Sequence, residues 1–242
     1  MKRRVYLKRI IFVSSFICIT VLMYGIIVNI NGEVVQTNST PITNKVIVID
    51  AGHGLPDEGA QGFNGTTEQA INLAISLKLQ KLIEQSGAKV YLTRSDENGI
   101  YSTDSVGIKN KKVSDAKNRV EIGNNNEADI FISIHLNKFP ASSKYKGWQT
   151  FYQKSNEDSK KLAEIIQINL NKNISIDNDR KALPINGIYI MDNLKVPSVI
   201  VECGFLSNPE ETENLKTEQY QNKLVWGIYL GIQEYFNKKT NE

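Results

Sequence analysis

The 242 residues are 40% apolar and 23% charged, enough for one full-sized domain with its own core and a short appendage. A net charge of +3 is too small to argue for nucleic acid, and much of it comes from Lys2, Arg3, Arg4, Lys8 and Arg9. Of the two cysteines, Cys18 lies in an apolar N-terminal run, so Cys203 has no bridging partner in the domain and a disulfide scaffold is excluded.

Residues 1–9 form the basic segment. Residues 10–28, "IIFVSSFICITVLMYGIIV", carry no charge. As a helix they would reach about 28 Å, close to the thickness of a bilayer core. The positive flank keeps the N-terminus on the cytoplasmic side. A transmembrane anchor is therefore expected over 10–30, with a cleaved signal as the alternative; no A-x-A site follows Val28. Either way the rest of the chain works outside the membrane. Residues 31–44, polar and containing Pro41, read as a linker, 45–237 as the domain, and 238–242 as a tail.

Within the domain, "KVIVID" is a buried strand. "EQAINLAISLKLQKLIEQSG" is a helix with Ile71, Leu73, Ala74, Leu77, Leu79 and Leu82 as its apolar stripe, closed by Gly87. "AKVYLT" is a second strand, and "SDAKNRVEIGNNN" a helix capped by Ser114. "DIFISIH" and "GWQTFYQ" are strands; the second alternates and so belongs near an edge. Residues 156–170 form a helix that buries Leu162, Ile165, Ile166 and Leu170. "GIYIMD" and "SVIVE" are two more strands, and a last helix covers 219–236. Such alternation predicts an α/β domain with an open, mostly parallel sheet of about six strands flanked by helices.

In such sheets ligands bind beyond the carboxyl ends of the strands. Three of the apolar runs end there on chemistry. "KVIVID" leads to His53, "DIFISIH" ends on His135, and "SVIVE" ends on Glu202. These two histidines are the only ones in the chain. Two imidazoles and a carboxylate suit a catalytic zinc ion with an open position. Glu68, which opens the first helix, can supply the acid, leaving Glu202 for proton transfer. Each residue also has a purely structural reading. A strand-end histidine can be a core residue, and Glu68 can simply oppose the helix dipole. Glu202, enclosed by "PSVIVE" and "CGF", is less easily explained, because enclosing a carboxylate is costly. Asp50 either orients His53 or caps the following turn. Arg119 binds either a substrate carboxylate or a neighbouring helix. Asn137, just past His135, is a further candidate beside the site, and Gly52 and Gly54 permit a tight loop.

The segments "IVIDAGHG", "TTEQAINLAISLKLQKLIEQSGAKVYLTRSD", "RVEIGNNNEADIFISIHLNKF" and "PSVIVECGFLSNPEE", in this order, resemble the zinc-dependent N-acetylmuramoyl-L-alanine amidases of the Amidase_3 type. The resemblance implies an α/β open sheet, one zinc ion on His53, Glu68 and His135, and Glu202 as the catalytic carboxylate. It implies hydrolysis of the amide joining the lactyl group of N-acetylmuramic acid to L-alanine in peptidoglycan. A lone amidase domain on an N-terminal membrane segment is similar to the spore-cortex branch, which prepares muramic-δ-lactam for germination; a vegetative wall amidase is the alternative. Ala51 departs from the usual D-P-G-H, Leu55 replaces a second glycine, and Cys203 fills the variable position of E-x-G-F. Two other readings remain: a hydrolase with Cys203 as nucleophile, and a wall-binding protein without activity. The segment 99–115 either receives an activating partner protein or is a plain surface loop.

Overall fold

The computed structural model divides into two compact units, Met1–Asn38 and Ser39–Glu242. It describes residues 39–174 and 178–241, together with Ser15, Ile19, Thr20 and Met23 of the first unit, which are helical and exposed. Apart from those four, the anchor expected over 10–30 lies outside the described residues. Among the described residues no helix is long and apolar enough to cross a membrane.

The second unit is an α/β domain. Its strands are β1 (Val46–Ala51), β2 (Lys89–Leu92), β3 (Ile130–Asn137), β4 (Gln149–Gln153), β5 (Leu183–Ile185) and β6 (Ser198–Phe205). Its helices are α1 (Glu68–Gln85), α2 (Ile108–Asn125), α3 (Glu157–Asn173), α4 (Tyr189–Asn193), α5 (Pro209–Lys216) and α6 (Glu218–Asn241). The strand order is β2-β1-β3-β6-β4-β5. The first four run parallel, β4 runs antiparallel to β6, and β5 follows β4. The antiparallel step puts the leading ends of β4 and β5 at the same rim as the carboxyl ends of β1, β3 and β6.

Alternate side chains leave a strand on opposite faces. One face carries Ile47, Ile49, Ile130, Ile132, Ile134, Val199, Val201 and Cys203 into the large core. There they meet Ile75 and Leu79 of α1, Leu162 and Ile166 of α3, and Ile228 and Ile232 of α6. The other face carries Val48 and Phe131 into a smaller cluster with Ala128 and Leu194. His135 and Glu202 share that second face with Asp50 and Ser133, so the polar groups sit where the apolar packing is thinnest. The turn at 40–43, assigned to the linker, seats Ile42 fully buried in the large core.

Several expectations need correction. "GIYIMD" is no strand: Tyr189–Asn193 is the short helix α4, and the strand of that region is β5, slightly earlier. The Asp192 carboxylate accepts the Gly187 N–H at 2.9 Å and turns the chain into that helix. A six-residue apolar run does not by itself tell strand from helix. Helix α2 begins at Ile108, not Ser114, whose Oγ instead accepts the Ser102 N–H at 2.9 Å. The inward stripe of α1 is Ile71, Ile75, Leu79 and Ile83, with Asn72 and Ser76 beside them. Leu77 faces solvent, and Leu73, Ala74 and Leu82 are only half-buried. Helix α5 was not expected, and α6 continues through the expected tail to Asn241.

Candidate active site

Just beyond β1, His53 stands at φ 62°, in the left-handed region that side chains other than glycine seldom occupy. Such a conformation costs about 1–3 kcal/mol and persists only where its surroundings impose it. Here they do. Gly54 and Asp57 exchange two backbone hydrogen bonds, each 2.9 Å. The His53 carbonyl accepts from Arg119 Nη2, and Arg94 donates to the Ala51 and Gly52 carbonyls at 2.8 and 3.0 Å. The imidazole Nδ1 lies 3.0 Å from Asp57 Oδ2.

Glu68 is the first residue of α1 and is 4% exposed. Its Oε2 accepts the Ala60 N–H at 2.8 Å and its Oε1 the Leu136 N–H at 3.0 Å. The same Oε1 lies 3.2 Å from His53 Nε2 and 2.9 Å from His135 Nδ1. The two imidazoles meet edge to face, 5.0 Å between centroids. One donor atom from each of His53, Glu68 and His135 fits within a mutual span of 4.8 Å. Burial acts to lower the His53 pKa, but the Asp57 and Glu68 carboxylates outweigh it and lift it to about 9. Burial alone would raise Glu68; the two imidazoles hold it well below the usual carboxylate range. Two nitrogens and a carboxylate oxygen converging on one point are a donor set that suits zinc.

Two glycines make room for this cluster. A Cβ on Gly52 would stand 2.4 Å from His135 Cε1 and Nε2. A Cβ on Gly59, at φ 69°, would stand 2.6 Å from Glu68 Oε2 and 2.7 Å from His53 Cδ2. Gly52→Ala should therefore turn the His135 ring away from Glu68. A displacement of this size costs about 10²-fold in rate. A fall in turnover on muropeptides with unchanged thermal unfolding would bear this out; wild-type turnover would contradict it.

Glu202 pairs in register with His135 across β3 and β6, so both side chains leave the same face. Its Oε2 is shut from solvent and meets no hydrogen-bond partner among the described residues. Burial, reinforced by the nearby Glu68 charge, pushes its carboxyl up to about 7 against the pull of the imidazoles. The neighbouring Cys203 points the other way, into the large core, where burial drives the thiol far above its ordinary value. Cys203 therefore does not face the His53, Glu68 and His135 cluster, which removes the support for the reading that makes it the nucleophile.

Asp50 does not reach His53. Its carboxylate accepts from Ser133 Oγ at 2.6 Å, Thr93 Oγ1 at 2.8 Å and Arg119 Nη1. Asp57 holds the His53 ring instead. Arg119 is 1% exposed and donates to Asp50, Asp115 and the carbonyls of Ala51 and His53. It braces the His53 loop from inside the domain. Asn137 ends β3 beside a bulge, its carbonyl accepting the Leu206 N–H at 2.8 Å. Asp57, Gly59 and Arg94 were not singled out from sequence. An acid four residues after His53 was the one available signal for Asp57.

A six-stranded, mostly parallel sheet with imidazoles and acids gathered at its carboxyl rim is the framework of an α/β hydrolytic enzyme. The Amidase_3 family model, N-acetylmuramoyl-L-alanine amidase, matches residues 47–234, and the chain belongs to that family. It is an amidase whose substrate is peptidoglycan. A germination-specific N-acetylmuramoyl-L-alanine amidase of Bacillus subtilis is 38% identical over 201 residues, covering 83% of this chain and 84% of that relative. The CwlD amidase of Clostridioides difficile, solved with the GerS lipoprotein, is 46% identical with a TM-score of 0.78; the match covers 81% of this chain and all of that one. An N-acetylmuramoyl-L-alanine amidase of Clostridium difficile 630 superposes with a TM-score of 0.70 at 29% identity, covering 81% and 99%.

Proposed function

We propose that His53, Glu68 and His135 hold one zinc ion and that Glu202 moves the proton in hydrolysis of the lactyl–alanine amide. The observation that carries this reading is the convergence of three donor atoms within 4.8 Å, beside an acid with an unpartnered, enclosed oxygen. A zinc ion so held supplies Lewis acidity to the water and to the scissile carbonyl. Glu68 and the two imidazoles are oriented for it by the Ala60 and Leu136 N–H groups and by Asp57. Glu202 accepts the proton of the attacking water and delivers it to the departing alanine nitrogen. Gly52 and Gly59, lacking a Cβ, leave the rings and the Glu68 carboxylate the space they occupy.

The role we infer is in the spore cortex, supported by the likeness to the germination-specific enzyme and to CwlD. The domain then acts outside the cytoplasmic membrane, carried by the apolar segment 10–30. A lipoprotein partner is part of this reading, because the CwlD structure holds GerS. The test is mass analysis of muropeptides after incubation with the purified domain. Release of intact stem peptides should stop on chelation, return with added zinc, and survive thiol-blocking reagents, since Cys203 is sealed in the core. Activity that persists in chelator would count against the metal assignment.

A further inference from the structure

The rim beside Glu202 carries a second group of residues that the hydrolytic step does not use. Gln149 at the start of β4 pairs with Glu202 and lies on the same face. The segment 178–181, leading into β5, is tied to that strand end. Asn178 Nδ2 donates to the Trp148 carbonyl at 2.9 Å, and Gln149 Nε2 donates to the Lys181 carbonyl at 3.0 Å. Between these ties stands Arg180, half-buried, its Nη1 donating to Gln149 Oε1 at 3.3 Å. Its guanidinium lies 4.9 Å over the Phe205 ring and 5.9 Å from the Tyr145 ring. Tyr145 stacks on Phe205 and lies nearly perpendicular to Phe139; Tyr145 and Phe139 are both exposed. A guanidinium held over an aromatic ring keeps its N–H donors for other partners, in a fork that matches a carboxylate. Glu211 is the acid nearby, but its two oxygens accept the Gly147 and Phe205 N–H groups, each at 2.7 Å.

The direction of the substrate follows from the reaction. The lactyl carbonyl belongs over the His53, Glu68 and His135 cluster, and the departing nitrogen belongs at Glu202. Continued along the line from that cluster through Glu202, the peptide would pass from β6 toward β4, the next strand in the sheet. Adjacent strands lie about 4.8 Å apart, and an extended peptide advances about 3.5 Å per residue. The residue after alanine would then come beside Gln149 and the Arg180 it holds. We propose that Arg180, seated over Phe205 and braced by Gln149, binds the free carboxylate of the stem-peptide residue that follows L-alanine, and so makes the enzyme selective for acidic over amidated stems.

This rests on Glu202 standing at the departing nitrogen, and the test separates the two. Two soluble muropeptides are compared, identical except for a carboxylate or a carboxamide on the residue after alanine. The wild-type enzyme should favour the carboxylate by about 10- to 100-fold in kcat/KM, the range of a charge-assisted hydrogen bond. The preference should appear chiefly in KM. Arg180→Gln should bring the acidic substrate down to the level of the amidated one, and Arg180→Lys should keep part of the preference. In a Glu202→Gln background, direct binding of the intact acidic muropeptide should weaken by a similar factor when Arg180 is also replaced. Equal wild-type rates on the two substrates overturn the proposal, whatever the folding of any variant, and so does a preference that survives Arg180→Gln. Turnover retained by Glu202→Gln would instead count against the assignment of Glu202.

Discussion

Glu202→Gln should lower the release of stem peptides by about 10²- to 10⁴-fold, the usual contribution of a positioned acid–base group. Fold and metal content should not change, because Glu202 is not among the three convergent donors. The same variant should show a stability effect of opposite sense. Burial raises the Glu202 carboxyl from its ordinary 4.5 to about 7, so the folded state prefers it neutral. The stability this neutral form provides is complete below about pH 4.5 and is lost as the pH rises through about 7. Gln cannot ionise and does not lose it. In metal-free protein, Glu202→Gln should therefore be more stable than wild type at pH 8 by about 2–3 kcal/mol, and equal to it near pH 4. Adding zinc should narrow the gap, since a nearby cation favours the carboxylate. Denaturation at the two pH values measures it. A gap that does not change with pH would mean that Glu202 is not enclosed, and retained turnover would remove it from the reaction.

Arg119→Met should destabilise the domain by about 3–5 kcal/mol, the usual effect of leaving a buried ion without its partner. Asp50 is wholly buried, and its carboxyl is held below its ordinary value: burial pushes upward, and the Arg119 charge with the Ser133 and Arg119 hydrogen bonds overcomes it. Loss of the guanidinium also frees the His53 carbonyl that Arg119 holds, so zinc affinity should fall together with stability. Pairing the change with Asp50→Asn should restore part of the stability but not the grip on the His53 loop. A single variant that unfolds at wild-type denaturant concentration would show that the pair carries little. A double variant with wild-type zinc affinity would show that the loop needs no brace.

The strand ends that present His53, His135 and Glu202 were legible because buried parallel strands read as unbroken apolar runs, and each run stops at its chemistry. Glu68 was legible as the acid opening a strongly periodic helix. What escaped was decided by tertiary contact. Residues 187–192 have a strand's composition, yet the Asp192 hydrogen bond to Gly187 turns them into a helix. Helix α2 starts on Ile108 without any capping side chain, so its first turn carried no signal. The stripe of α1 differs from its apolar pattern because Glu68 and Asn72 bond into the site, which turns that face inward and leaves Leu77 outward. Asp57 and not Asp50 holds the His53 ring, because Arg119, buried and remote in sequence, claims the acid nearer the strand.

The reversal of β4 beside β6 has an evolutionary consequence. Because that strand runs backwards, the chain on its side of the rim comes from different loops than those that carry His53 and Glu68. Segments 139–147 and 178–181 carry none of the residues of the His53, Glu68 and His135 cluster. Transplanting those two stretches is thus the natural route to redirecting such an enzyme toward another wall chemistry while its hydrolytic half stays as it is.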